Sequence, residues 1–262
     1  MTLKTISAVL LGAAVGAQTP FAWPEGKRVA VSLTFDDART SQPIAGLEVF
    51  ARHKGMHATF FVEPRNMTKN LDGWKKLVAQ GHEIGNHSDT HPCSGNFPWS
   101  RKNAVEDYTM VRMEADITKA ERDTESLVGV KPVTFAYPCG SKFIGRGEGT
   151  QSYVPLIAKR YLAGRGFRDE AANDPMFADF AQLLGIESDG MTFEQMRDTV
   201  KTAEAQSGWV VFAGHEIGPA GNQTTRAAEL DKFLTWAGDP ANGVWVDTVE
   251  KIARYVQSKR RR

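Results

Sequence analysis

The chain has 262 residues, 41% of them hydrophobic and 24% charged, a composition suited to a globular protein with a sizeable core. A net charge of +1 gives no reason to propose nucleic acid, which normally demands a strongly basic face. The one basic run closes the chain at Lys259-Arg260-Arg261-Arg262, and 257–262 reads as a solvated tail rather than an arm for nucleic acid or membrane.

At the N-terminus, Lys4 precedes an apolar run from Ile6 to Val15, and Val15-Gly16-Ala17 offers small residues to a signal peptidase. The run is well short of the roughly 20 residues needed to span a bilayer. Residues 1–17 therefore read as a cleaved export signal, with a short buried first helix as the alternative, and 18–27 as an N-terminal segment. Nothing later resembles a membrane span, so no stable membrane insertion is expected and the protein is placed in the periplasm or outside the cell. Export permits a disulfide between the two cysteines, Cys93 and Cys139. A bridge and two packed thiols both remain open.

From there short apolar runs alternate with helical patterns. The runs are Val29 to Phe35, Ala58 to Val62, Glu83 to Gly85, Val133 to Tyr137, Tyr161 to Phe167, Leu183 to Glu187 and Trp209 to Ala213. Several are continuous rather than alternating, as expected of parallel strands covered on both faces. Helical candidates are Pro43 to His53, Trp74 to Ala79, Asn103 to Leu127, Tyr153 to Lys159, Phe193 to Ala205, Ala227 to Trp236 and Val246 to Val256. This order predicts one α/β domain over 28–256, a distorted (β/α) barrel with about seven parallel strands; a flat doubly wound sheet is the runner-up. In either fold, functional residues lie just beyond strand C-termini.

Three strand ends carry such residues. The first reads Thr34-Phe35-Asp36-Asp37, where adjacent carboxylates point in different directions and can take different roles. A solvated turn would also explain them. The third leads into His87-Ser88-Asp89-Thr90-His91; histidines four apart share one face of a helical turn and can offer ring nitrogens to one metal. One carboxylate and two imidazoles leave coordination positions open, which suits catalysis rather than a structural site. The seventh ends at Gly214-His215-Glu216. His53, His57 and His82 fall at the opposite ends of these strands and receive no chemistry.

These motifs resemble the first, second and fifth motifs of the polysaccharide deacetylases, the NodB-homology proteins of the fourth carbohydrate esterase family. They stand in the family's order, and Gly81-His82-Glu83-Ile84-Gly85-Asn86-His87 is also typical of it. The resemblance implies a divalent metal on Asp37, His87 and His91, zinc first, with cobalt, nickel, manganese or iron as alternatives. It implies Asp36 as general base toward a metal-activated water, and His215 as general acid toward the departing amine. The implied reaction removes acetyl groups, N-acetyl rather than O-acetyl, from a polysaccharide or oligosaccharide.

Two family motifs are altered. Where arginine and an aromatic are usual, the third reads Phe135-Ala136-Tyr137-Pro138-Cys139-Gly140; the Cys139 N–H can still donate to an oxyanion. The fourth, usually Asp-Trp, is not recognisable. Arg165, between two glycines at a strand end, is the expected substitute for the missing arginine beside Asp36, and is grouped with Trp99 and Phe143 on the substrate side. Phe97 is a further candidate for stacking on sugar rings. Rival readings are a carbohydrate-binding pseudoenzyme that keeps the metal, an amidase on a non-carbohydrate amide, and an iron oxygenase using His87, Asp89 and His215. The sequence carries no signal for oligomeric state.

Overall fold

The computed structural model describes residues 20–260; the expected export signal at 1–17 lies outside the described residues, as do Arg261 and Arg262. Eight strands build one parallel sheet: β1 (Val29–Asp36), β2 (Thr59–Val62), β3 (Glu83–Asn86), β4 (Thr134–Ala136), β5 (Ala163–Arg165), β6 (Ile186–Glu187), β7 (Trp209–Gly214) and β8 (Val244–Val246). The order across the sheet is β5-β4-β3-β2-β1-β7-β6. β7 occupies one edge of β1 from Ala30 to Phe35, while β2 and β8 share the other, at its C-terminal and N-terminal halves. A parallel bridge between Arg165 and Leu183 brings the two ends of the sheet together, giving the distorted barrel rather than the flat sheet.

All eight residues of β1 are buried, which explains why this run is continuous rather than alternating in hydropathy. Adjacent residues nevertheless serve different cores, as the two-residue strand period requires. Phe60 packs with Trp74, Leu77 and Phe233 from the surrounding helices. Phe61, next to it, packs with Ala136, Leu183 and Val211 and with Val249 and Ile252.

Besides a single α-helical turn at Pro64–Met67, the helices are α1 (Leu47–Ala51), α2 (Leu71–Ala79), α3 (Met110–Val128), α4 (Val154–Arg160), α5 (Phe193–Glu204), α6 (Ala227–Gly238) and α7 (Val249–Arg260). Two expectations shift. The helix expected from Asn103 starts at Met110, because Thr109 accepts a hydrogen bond from the Arg112 N–H and caps it there. It ends at Gly129, whose φ of 73° suits a left-handed C-terminal cap. The helix expected from Val246 starts at Val249, since Val244–Val246 pairs with β1 instead. α7 continues to Arg260, so the expected solvated tail is, in its described part, a last helical turn. Arg260 lies over the Phe180 ring and donates to the Pro175 carbonyl, which draws it onto the domain. No helix among the described residues is long and apolar enough to cross a membrane.

Candidate metal centre and active site

The ends of β1, β2, β3, β4, β5 and β7 converge on a cleft of about 1010 Å³ that Asp36, Asp37, His87, His91, Cys139 and His215 all line. Asp37 and Ala38 have φ of 73° and 50°, so the chain turns sharply beyond β1 and turns both carboxylates into one space. Left-handed conformations cost a non-glycine residue roughly 1–2 kcal/mol each, and tertiary contacts must hold them. Gln42 does part of this: its buried amide donates to the carbonyls of Asp36 (2.6 Å) and His215 (2.8 Å), tying β1 to β7. Asn66 donates to the Asp37 carbonyl at 3.0 Å.

The two histidines do not share a helical turn. Residues 87–94 form a loop in which Ser88 and His91 have φ of 65° and 49°, incompatible with a helix. Their side chains still meet: His87 Nε2 and His91 Nε2 lie 3.4 and 3.2 Å from Asp37 Oδ1. His87 Nδ1 lies 2.9 Å from the Ala136 carbonyl. A carbonyl only accepts, so Nδ1 carries the hydrogen and Nε2 presents its lone pair to the cleft. Arg39 donates twice to Asp37 Oδ2, at 2.8 and 3.1 Å, which leaves Oδ1 facing the histidines.

Asp37 Oδ1 and His87 Nε2 are both buried without a hydrogen-bond partner. Buried polar atoms are rarely left so, and these two point at the same space. Burial pushes the Asp37 carboxyl up, but the close approach of the His87 and His91 imidazoles outweighs it and holds the group well below the usual range. Burial pushes His87 down, but the charges of Asp36 and Asp37 outweigh it and raise the imidazole. The site thus favours positive charge between these groups. Its oxygen and nitrogen donors suit a divalent cation.

Asp36 is 3% exposed, and Arg165 bonds its Oδ1. Arg165 is itself wholly buried, donates to the Gly166 carbonyl at 2.8 Å, and lies 5.0 Å from the Phe61 ring centroid. Its place on the substrate side is therefore corrected: a guanidinium with no exposed surface touches no substrate and can act only through Asp36. Phe143 is also corrected. It sits in a two-residue ribbon strand, 58% exposed, and does not line the cleft. Trp99 and Phe97 do line the cleft, their rings stacked with centroids 5.5 Å apart, and Trp99 lies 6.0 Å from the His91 ring.

His215 has a partner that the sequence analysis missed. Asp189 Oδ2 lies 2.6 Å from His215 Nδ1, and Asp189 Oδ1 accepts the His215 backbone N–H at 3.1 Å. Gly214 permits this approach: a side-chain carbon there would lie 2.8 Å from Ser188 Oγ and closer still to Thr225 Oγ1. Burial pushes His215 down, but the Asp189 bond and the charges of Asp36, Asp37 and Asp189 outweigh it and raise the imidazole. The available signal was Ser188-Asp189-Gly190 just beyond the run ending at Glu187: a carboxylate past a strand end on the functional face.

Cys93 and Cys139 form a disulfide, with Cα atoms 5.8 Å apart and a separation of 46 positions in sequence. It joins the loop carrying His91 to the loop carrying Cys139, whose own φ is 53°. Cys139 follows Pro138 in a single 3-10 turn, where a first-turn N–H has no acceptor within the helix and remains available to a ligand. By loop-closure entropy, a bridge of this span stabilises the fold by about 4 kcal/mol. Reduction should lower the urea midpoint accordingly, in a comparison of oxidised and reduced protein.

The family model of polysaccharide deacetylases matches residues 24–145. A Bacillus gellan lyase is 24% identical over 90% of this chain and 10% of its own length. The peptidoglycan-N-acetylglucosamine deacetylase PgdA of Listeria monocytogenes is 31% identical over 50% of this chain and 25% of its own. The chain thus spans a tenth to a quarter of these two relatives. Among solved structures, a Mycobacterium smegmatis protein assigned to the polysaccharide deacetylases superposes with a TM-score of 0.66 at 18% identity, covering 92% of this chain and 94% of its own. A family 4 acetyl xylan esterase from Clostridium thermocellum, solved with a cobalt ion, gives 0.57 at 18% identity over 86% and 91%. The family model covers the stretch that carries the first two motifs, and these structures share the same barrel, so the chain is similar to the NodB-homology polysaccharide deacetylases of the fourth carbohydrate esterase family.

Proposed function

We propose that the protein is an exported, metal-dependent hydrolase that removes acetyl groups, N-acetyl in preference to O-acetyl, from a polysaccharide or oligosaccharide. The observation that carries this reading is the pair of buried, unpartnered atoms, Asp37 Oδ1 and His87 Nε2, facing one cleft with Asp36 and His215. Asp37, His87 and His91 would hold the cation, zinc by preference, with cobalt, nickel, manganese or iron also suited to the donor set. When bound, it supplies Lewis acidity, polarising the acyl oxygen and making water a stronger acid.

The chain's own groups then divide the remaining work. Asp36 accepts the proton from the attacking water; Arg165 occupies Oδ1, so Oδ2 is the oxygen left to receive it. The Cys139 N–H donates to the acyl oxygen as negative charge builds on it. His215 delivers a proton from Nε2 to the leaving nitrogen, while Asp189 holds Nδ1 and so fixes which nitrogen faces the cleft. An amide needs this proton, because an amide anion is a very poor leaving group. The Phe97–Trp99 pair offers an exposed apolar face on which a sugar ring can stack. The disulfide and the apolar N-terminal run support export.

The test is acetate release from acetylated chitooligosaccharide, peptidoglycan and xylan. Release is expected from at least one of them, lost on chelation and restored by zinc or cobalt. No release from any of the three by metal-loaded protein would favour the binding protein or an amidase on a non-carbohydrate substrate.

A further inference from the structure

The loop that carries both histidines has no regular structure and two left-handed non-glycine residues, so something outside it must fix its shape. Part of the support is local. Asn86 Oδ1 accepts the Ser88 N–H at 2.7 Å, and Ser88 Oγ accepts the His91 N–H at 3.0 Å. The rest comes from Asp116, on α3, which belongs to none of the motifs above. Its Oδ1 accepts the backbone N–H groups of Asp89 (2.7 Å) and Thr90 (3.3 Å). Its Oδ2 accepts the Tyr108 hydroxyl at 3.0 Å and the Thr90 hydroxyl. One turn further along α3, Lys119 reaches the Asp89 carboxylate at 2.8 Å.

We propose that Asp116 is a positioning residue for the metal site, holding the Asp89–Thr90 backbone in the shape that aims His87 and His91 at Asp37. The inference rests on the metal reading above. Asp116 is only 8% exposed, and aspartate is a poor helix former, so neither solvation nor propensity explains a carboxylate in the middle of α3. Four donors converge on it, and an ionised carboxylate accepts all of them without reorienting any. Two of those donors are backbone groups lying between the two ligands in sequence. Released, the 88–91 segment can relax out of its left-handed residues, and His91 then loses its register with Asp37.

The experiment measures zinc affinity by calorimetric titration of chelator-treated full-length protein, for wild type, Asp116→Ala, Asp116→Asn and His87→Ala. Asp116→Ala should bind zinc about 10–100-fold more weakly, the range usual for groups that orient metal ligands. Saturating zinc should then restore most of its kcat, a recovery that general misfolding would not permit. Asp116→Asn should stay within a few-fold of wild type. Its carbonyl still accepts the two backbone N–H groups, and its NH₂ can donate to the Thr90 and Tyr108 hydroxyls once these turn. Unchanged affinity in Asp116→Ala, or Asp116→Asn as weak as Asp116→Ala, overturns the proposal. Wild-type affinity in His87→Ala would instead place the fault in the metal reading. Should Asp116→Ala not fold, Thr90→Val removes one of the bonds to Asp116 and is expected to weaken zinc binding several-fold; no change there overturns the proposal equally.

Discussion

Replacing Arg165 with Met should lower kcat by roughly 100–1,000-fold, within the span usual for losing general acid–base catalysis, while zinc affinity stays within a few-fold of wild type. The asymmetry follows from where the guanidinium sits. It bonds Asp36 Oδ1 and the Gly166 carbonyl, and it hydrogen-bonds none of Asp37, His87 and His91. Methionine fills much the same volume without the charge, so Asp36 is left buried and free to turn away from the position in which Oδ2 faces the cleft. Breaking one partner from a buried pair also costs stability, on the order of 3–5 kcal/mol, so the variant is compared at a temperature where both proteins remain folded. Parallel measurement of kcat and zinc affinity decides the matter. Unchanged kcat would rule out the assigned role, and an equal fall in both would mean that the cleft itself had collapsed.

The second large effect is expected at Asp189. Asp189→Asn should reduce kcat by roughly 100-fold or more, because an amide can present its NH₂ to His215 Nδ1 and so favour the wrong tautomer. It should also move the pH profile. His215 must be protonated to act as an acid, so activity is present below its pKa and lost as pH rises through it. Burial alone would depress that pKa, but the Asp189 bond, with the neighbouring carboxylates, raises it above the ordinary histidine value. A cation on Asp37 would offset that residue's share, whereas the Asp189 bond would persist. Removing it therefore shifts the alkaline limb of kcat toward lower pH. An unmoved alkaline limb in the variant would separate His215 from the proton delivered to the leaving group.

Much of the fold was legible because each of the seven apolar runs is a strand in the structure. The eighth, Val244–Val246, is three residues long and merged with the helical pattern that follows, so only its pairing with β1 distinguishes it. The histidine loop departs from the expected helical turn for a related reason. A four-residue spacing satisfies a helical turn, yet the same spacing brings two rings together in a loop once Ser88 and His91 adopt positive φ. Phe143 failed because proximity in sequence to Cys139 does not place a side chain in the cleft.

What the sequence determined by itself was local: the alternation of buried runs with helices, and the donor types at strand ends, Asp36, Asp37, His87, His91 and His215. Strand direction alone then places those residues on one face. Only the tertiary structure decided which groups surround them. Arg165 meets Asp36 across 129 positions, Asp189 meets His215 across 26, Asp116 meets Thr90 across 26, and Cys93 meets Cys139 across 46. Such pairings depend on how strands and crossovers stack around the cleft, and residue type and periodicity carry no record of that distance. The donors of the metal site are written in the motifs, while the contacts that hold and orient them are made by the closed barrel.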